Sequence, residues 1–202
     1  MINYASMHSE SITRYHVIGM ILHTHSNASF LSEPGAKSRS GGCHYLSTAS
    51  ADPNKPPLKQ PPLNGPVHVE CKTMRNVLAS ATEEELGALF VNYQIGAAMR
   101  MVLIEMGQAQ PPTPAVTDSA TGGGFFNDNI RQRRSISIDM RFYWVRDRVK
   151  QGKFLVYWIY GEHNLADYFT KHHPTSHHRA QRIIYLVPHS GHQQVRMLHV
   201  TY

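Results

Sequence analysis

Short runs of mixed hydrophobic and polar residues in the first third of the chain predict three β-strands. The runs cover residues 20–30, 38–47 and 66–71, and polar or Gly-containing turns separate them. Half of the twelve prolines fall between Pro53 and Pro66, which excludes a regular helix or strand there. An extended loop is therefore predicted over residues 52–65.

From Ser80 the hydrophobic spacing becomes that of a helix. Apolar side chains recur three and four residues apart at Leu86, Leu89, Phe90 and Tyr93, and the pattern continues beyond Gly96. We expect two consecutive helices here, or one helix broken at Gly96. Three prolines over residues 111–114 end this region, and residues 115–118 are predicted to form a short strand.

A second helix is predicted around residues 138–149, because Ile138, Phe142, Val145 and Val149 share one face. Arg134, Arg141 and Arg148 lie on another face at steps of seven residues. Residues 153–160 are apolar at consecutive positions, which is typical of a central strand covered on both sides. A helical turn is expected over residues 164–171. The order of elements predicts an α/β fold in which a mixed sheet has helices on both faces.

Charge and cysteine content narrow the class of protein. Among 202 residues, 20 Lys and Arg stand against 14 Asp and Glu, giving a net charge of +6 and a pI near 9.4; this excess favours a polyanionic partner. No apolar stretch approaches the roughly 20 residues that cross a bilayer, so no membrane association is expected. The chain lacks a secretory signal pattern, and Cys43 and Cys71 are expected to be reduced, buried thiols. We expect an intracellular protein of the cytoplasm or nucleus that is not secreted.

Three acidic residues lie at the ends of predicted elements. They are Glu85 in the first turn of the long helix, Asp118 after a short strand and Asp167 at the last helical turn. If neighbouring strands bring them together, a divalent cation such as Mg²⁺ would offset their repulsion. Each acid could also have an ordinary structural role. Glu85 could form a capping box with Thr82, although Ser80 and Glu83 offer a competing box in the next register. Asp118 could cap the segment that follows it, and Asp167 could be a surface acid. Spacing alone favours the structural roles.

Six collinear blocks of sequence change this balance. They are Ser26–Phe30, Ser38–Gly42, Ala79–Ala88, Val116–Ser119, Arg133–Met140 and Asn164–Lys171, the last reading NLADYFTK. Together they resemble the ribonuclease H region at the end of a copia-type retrotransposon Pol polyprotein, over residues 20–186. The resemblance implies a five-stranded mixed sheet with flanking helices. Residues 1–18 have no clear hydrophobic period and are expected to be a poorly defined segment, so a domain is predicted over residues 19–186, with a tail at 187–202 outside the resemblance.

In that family four carboxylates hold two divalent ions, Mg²⁺ or Mn²⁺, against the RNA strand of an RNA–DNA hybrid. Carried over by position, three of them are Glu85, Asp118 and Asp167, but the first carboxylate falls on Asn27. A neutral amide offers a cation one carbonyl oxygen and otherwise presents an N–H donor. We therefore expect weakened metal binding and impaired cleavage. His25 could add a nitrogen ligand, but Mg²⁺ prefers oxygen.

The resemblance also assigns roles outside the carboxylates. His163 is a candidate for protonating the leaving group. Phosphate contacts are predicted for the basic side chains near the second helix, namely Arg134, Arg141, Arg148, Lys150 and Lys153. The expected partner is an RNA–DNA hybrid or another nucleic acid, and the chain would belong to a larger polyprotein with a reverse transcriptase.

Three functions remain open at this point. The chain is an endonuclease with a damaged metal site, a binding module that does not cut, or an inactive remnant of an element. The histidine doublets at 172–173 and 177–178 resemble a zinc motif, but without a cysteine pair they favour a solvated, weakly basic turn.

Overall fold

The computed structural model describes residues 6–7, 9, 11–16, 18–52, 65–75, 77, 80–119 and 140–188. The central sheet contains five strands, whose bounds are β2 (Ile21–Glu33), β3 (Lys37–Ser47), β4 (Pro66–Thr73), β5 (Thr113–Thr117) and β6 (Phe154–Trp158). A separate two-residue ladder joins β1 (Ser11–Ile12) to β7 (Val187–Pro188). The helices are α1 (Ala81–Glu105), α2 (Met140–Lys150) and α3 (Thr175–Tyr185). Two 3-10 turns cover Gly161–His163 and Asp167–Phe169.

The sheet has the spatial order β4-β3-β2-β5-β6. Strands β2, β3 and β4 form an antiparallel meander, whereas β5 lies parallel to β2 and β6 lies parallel to β5. This is the predicted mixed sheet, and α1 and α2 supply the long connections that parallel strands require. The carboxyl ends of β5 and β6 therefore reach the same edge of the sheet.

Helices and turns cover both faces of the sheet, as the sequence predicted. On one face α1 and α2 enclose a core that includes Leu89, Tyr93, Val145 and Phe154. On the other, Cys43 and Tyr45 of β3 pack with Leu165 and with partly buried side chains from the second 3-10 turn and α3. The second face holds residues 164–170 against the middle of β2 and β3.

Helix α1 runs without interruption through Gly96, so the predicted break there is wrong. A Cβ on Gly96 would lie 3.2 Å from Cε1 of Phe154 and 3.4 Å from Oγ1 of Thr24. The glycine thus permits close packing of the helix on the sheet instead of ending it. Ser80 caps the helix by accepting a hydrogen bond from the Glu83 amide at 3.2 Å. That cap leaves Glu85 available for another role.

Length and composition alone would also allow α1 to cross a membrane, since its most apolar window has a mean hydropathy of 1.3. The same helix buries Asn92 and Arg100 and packs on the sheet through Leu89 and Tyr93. Arg100 donates to the Thr113 hydroxyl at 2.7 Å and to two backbone carbonyls. These contacts describe a core helix.

Two further expectations need correction. Helix α3 begins at Thr175 and includes His177 and His178, where a turn was predicted; the His177 ring stacks on His173 with centroids 4.0 Å apart. Cys43 is buried as expected, but Cys71 is exposed, because β4 is the edge strand of the sheet. The predicted proline-rich loop lies largely outside the described residues, and the domain boundaries stay a prediction.

Candidate functional site

The four positions carried over from the sequence meet at one edge of the sheet. Asn27 lies within β2, Glu85 in the first turns of α1, Asp118 directly after β5, and Asp167 at the start of the second 3-10 turn. An open pocket of about 230 Å³ is lined by Asn27, Glu85 and Asp118 and by Lys171, which follows that turn by two residues. Asp167 touches this group through Asn27 and Lys171.

Asn27 is 1% exposed, and all of its amide atoms are engaged. Its Nδ2 donates to Oδ1 of Asp167 at 2.9 Å and to Oγ1 of Thr170 at 3.1 Å. Its Oδ1 accepts from the Ala28 amide at 2.8 Å. One of the two lone pairs of its only oxygen is therefore already used by the backbone.

The local sequence of β3 makes room for this arrangement. Asn27 is the register partner of Gly41, and a Cβ on Gly41 would approach Cγ2 of Thr170 to 2.5 Å and the Ala166 carbonyl to 2.9 Å. Glycine at this position lets residues 166–170 lie directly on the sheet beside Asn27. This close approach delivers Asp167 to the site.

Asp167 is compensated from within the chain. Its Oδ1 accepts from Asn27 and forms an ion pair with the Lys171 ammonium four residues later. Thr170 closes the turn between them, because its hydroxyl donates to the Asp167 carbonyl at 3.0 Å. One carboxylate oxygen of Asp167 thus has two donors.

Glu85 and Asp118 are compensated less completely, by the more distant charge of Lys171 and by hydrogen bonds that leave one oxygen of each acid without a partner. Oε2 of Glu85 and Oδ1 of Asp118 are buried without a hydrogen-bond partner. Burial raises the pKa of Glu85 to about 8, and the charges of Asp118 and Glu84 add to the effect. Burial is also the main reason that the pKa of Asp118 is raised. Unpartnered buried carboxylate oxygens in mutual repulsion are typical of a place where a cation would be stabilised.

The donor set suits a hard divalent cation in type but does not fit two ions in this arrangement. Within the described ranges, no group of three or more His, Cys, Asp or Glu side chains lies close enough to hold a metal ion. Asn27 presents N–H donors towards Asp167, and Lys171 supplies a positive charge of its own. The assignment of Glu85, Asp118 and Asp167 as ligands stays a prediction.

Comparison with solved structures identifies the fold. The chain is similar to the N-terminal RNase H domain of a Mycobacterium tuberculosis protein, solved as a fusion with maltose-binding protein, with a TM-score of 0.52 and 10% identity over 75% of this chain and 91% of that one. It is also similar to an RNase H1 isolated from compost by a metagenomic approach, with a TM-score of 0.51 and 10% identity over 74% of this chain and 92% of that one. The fold is ribonuclease H-like. Family models and curated protein sequences gave no match.

In this ribonuclease H-like fold, His163 is not among the residues that line the acidic pocket. It stands on the exposed first 3-10 turn, with Nε2 3.6 Å from Oε1 of Glu162. Its role as a proton donor stays a prediction.

The basic residues predicted to contact phosphates lie in different surroundings. Arg148 packs over the Trp144 ring at 5.0 Å and donates to Oε1 of Gln151 at 2.8 Å, so it is held along the helix. Arg141 instead lines a second pocket, of about 280 Å³, together with Lys72 and Arg75. Lys150 ends α2 and Lys153 precedes β6, whereas Arg134 lies outside the described residues.

Three polar residues that build the site were not among the predicted site residues. Asn92 is fully buried and its Nδ2 donates to the Ser26 hydroxyl and the Gly41 carbonyl, both at 3.0 Å. Asn164 donates to the Ser26 carbonyl at 2.9 Å. Lys171 pairs with Asp167. Asn164 and Lys171 stand at the two ends of the NLADYFTK block, which was the available signal, while Asn92 had none because it lies within an apolar helix pattern.

Proposed function

We propose that this chain is a ribonuclease H-like domain of copia-type retrotransposon origin that binds RNA–DNA hybrids and cleaves their RNA strand poorly. The observation that supports the proposal is the meeting of Asn27, Glu85, Asp118 and Asp167 around one pocket of this fold. These four residues are far apart in sequence, and they occur along the chain in the same order as the carboxylates of the family motifs. The expected cofactor is Mg²⁺ or Mn²⁺, held weakly, and the expected location is the cytoplasm or nucleus.

We expect poor cleavage because the side chains at the four positions already bond to one another or lack a charge. Asn27 directs its amide protons at Asp167 and Thr170, and Asp167 is already paired with Lys171. Glu85 and Asp118 each retain one unpartnered oxygen, so that only three acids are present where the family uses four, and one of the three is already paired with a lysine. Loss of groups that stabilise developing charge in the transition state lowers rates by orders of magnitude.

Binding without cleavage is the second candidate function. It is favoured by the pairing of Asp167 with Lys171 and by the basic side chains of Lys72, Arg75 and Arg141 around the second pocket. Such a surface would contact phosphates without requiring the acids at all.

Asn27→Asp separates the two candidates. We expect the purified unaltered chain to show little Mg²⁺-dependent cleavage of a labelled RNA–DNA hybrid, and Asn27→Asp to raise the rate at least about a hundredfold, the scale of a lost transition-state contact. Asn27→Asp combined with Asp118→Ala should abolish the gain. A matched control is Asn27→Ser, which also removes the amide but adds no charge.

Robust cleavage by the unaltered chain that Asp118→Ala abolishes would contradict the proposed impairment. Hybrid binding with no cleavage by either protein would favour the binding module. Neither binding nor cleavage would reject the proposed function.

A further inference from the structure

Lys171 is a charged side chain at the pocket to which the sequence motifs assigned no role. Its Nζ forms an ion pair with Oδ1 of Asp167, and its side chain lines the pocket with Asn27, Glu85 and Asp118. About half of the lysine side chain is exposed, at 52%, whereas that of Asp167 is 21% exposed. The ammonium thus stands at the mouth of a partly buried group of acids.

The backbone holds this lysine in place. The turn Asp167–Phe169 is 3-10, the Thr170 amide donates to the Asp167 carbonyl at 3.1 Å, and the Thr170 hydroxyl does so at 3.0 Å. Oγ1 of Thr170 also accepts from Asn27. The position of Lys171 is therefore tied to the same strand that carries Asn27.

The positive charge of Lys171 offsets the negative charge of the acids around the pocket. Glu85 and Asp118 line the pocket and Asp167 adjoins it, so that three acids share one sheet edge. Among the residues that the structure describes, Lys171 is the only cationic side chain lining the pocket. A tethered ammonium favours the ionised form of the neighbouring acids without binding anything from solution, and the charge of Lys171 accordingly lowers the pKa of both Glu85 and Asp118, against the effect of burial.

We propose that Lys171 is a built-in counter-cation of the acidic site, whose ammonium must leave Asp167 before a divalent ion binds there. This inference rests on the proposed function only in treating the pocket as the place where a divalent ion would bind. It makes Lys171 a second cause of weak metal binding, separate from Asn27. Lys171 affects metal binding indirectly, by holding one oxygen of Asp167 in an ion pair.

Titration with Mn²⁺ alone tests this role, with free Mn²⁺ followed by electron paramagnetic resonance. We expect Lys171→Met to bind Mn²⁺ at least about tenfold more tightly than the unaltered chain, because one acid is released and one repelling charge is removed. Lys171→Gln should behave in the same way, and Lys171→Arg should keep the weak binding because it retains the charge. Lys37→Met, at an exposed hairpin position, is the matched control and should leave the affinity unchanged.

The gain must also disappear when Glu85→Gln is added to Lys171→Met, since that acid forms part of the same pocket. In EDTA, Lys171→Met should melt at a lower temperature than the unaltered chain and recover more of its Tm on adding Mn²⁺. Equal Mn²⁺ affinity for the unaltered chain, Lys171→Met and Lys171→Gln would overturn the proposal. So would an equal gain in Lys37→Met.

These outcomes are distinguishable from failure of the proposed function, because the titration contains no nucleic acid. Tighter Mn²⁺ binding by Lys171→Met, in a chain that neither binds nor cuts a hybrid, would support the counter-cation and reject the proposed function. Cleavage by Asn27→Asp with no change of Mn²⁺ affinity in Lys171→Met would do the reverse.

Discussion

Three histidines inside the sheet show how single residues set the response of the fold to acid. His23, His25 and His44 are each at most 4% exposed, and burial keeps their rings neutral although each ring also makes a hydrogen bond. His23 contacts the Ala49 carbonyl at 2.8 Å, His44 contacts the Thr24 hydroxyl at 3.1 Å, and His25 contacts the Tyr45 hydroxyl at 3.1 Å. Burial lowers the pKa of His25 to about 3 and that of His44 to about 4.

We predict that His44 makes the domain sensitive to mild acid. Because its pKa is lowered from 6.5 to about 4 in the folded state, its contribution is intact above pH 6.5 and is lost as the pH falls towards 4, where the unfolded chain takes up the proton. At about 1.4 kcal/mol per pH unit the loss approaches about 3 kcal/mol. Urea unfolding between pH 7 and 4 measures it.

His44→Leu is the comparison that isolates this residue. Glu85 has a raised pKa, so its contribution runs in the opposite sense and falls as the pH rises above about 4.5. It is common to both proteins, and the difference between the two stability curves reports His44. Parallel curves for the unaltered chain and His44→Leu would refute the prediction.

At the scale of elements, the Gly41–Gly42 pair of β3 determines how closely α1 and the second 3-10 turn approach the sheet. A Cβ on Gly42 would lie 1.8 Å from Oδ1 of Asn92. Asn92 has no room to yield without loss, since its Nδ2 donates to Ser26, Gly41 and Ala88.

We predict that Gly42→Ala lowers the free energy of unfolding by about 2–4 kcal/mol, through overpacking and the loss of buried hydrogen bonds. In an Asn92→Ala background the same change should cost much less, because the clashing atom is gone. Urea unfolding of the four proteins in this cycle gives the coupling. Additive effects would show that the two residues do not interact.

The elements also show what sequence patterns capture. Strand and helix positions in the sheet and in α1 followed from periodicity, because burial on a regular surface imposes that period. Gly96 was misjudged because its effect depends on Phe154, a contact between residues far apart in sequence. Helix α3 was missed because its partly buried Ile184 and Tyr185 are ordered by packing on Cys43 and Tyr45.

The positions of the site residues could be predicted from the sequence, but the contacts between them could not. Its acidic positions came from motif order, and Asn27 stood out as the departure. The pairing of Asp167 with both Asn27 and Lys171 was not foreseeable, because it depends on which side chains the folded strand and turn bring within hydrogen-bonding distance.

At the scale of the whole molecule, side chains of opposite charge line two different pockets. The net charge is +6, yet the acids gather at the pocket around Glu85 and Asp118. Arg141, Lys72 and Arg75 line the second pocket, where Glu70 is the only acid among the described lining residues. A polyanion would therefore meet both the acidic pocket and the second pocket, which we call the basic groove after Lys72, Arg75 and Arg141.

We predict that affinity for an RNA–DNA hybrid falls steeply with salt, because phosphate contacts release counterions. Arg141→Ala should weaken binding and reduce the slope of log Kd against log salt by about one, the share of a single phosphate contact. Lys37→Ala, at the far end of the β2–β3 hairpin, should leave the slope unchanged. Filter binding at several salt concentrations measures both. An affinity indifferent to salt, or an equal effect of Lys37→Ala, would place the hybrid elsewhere and leave the basic groove without a role in binding.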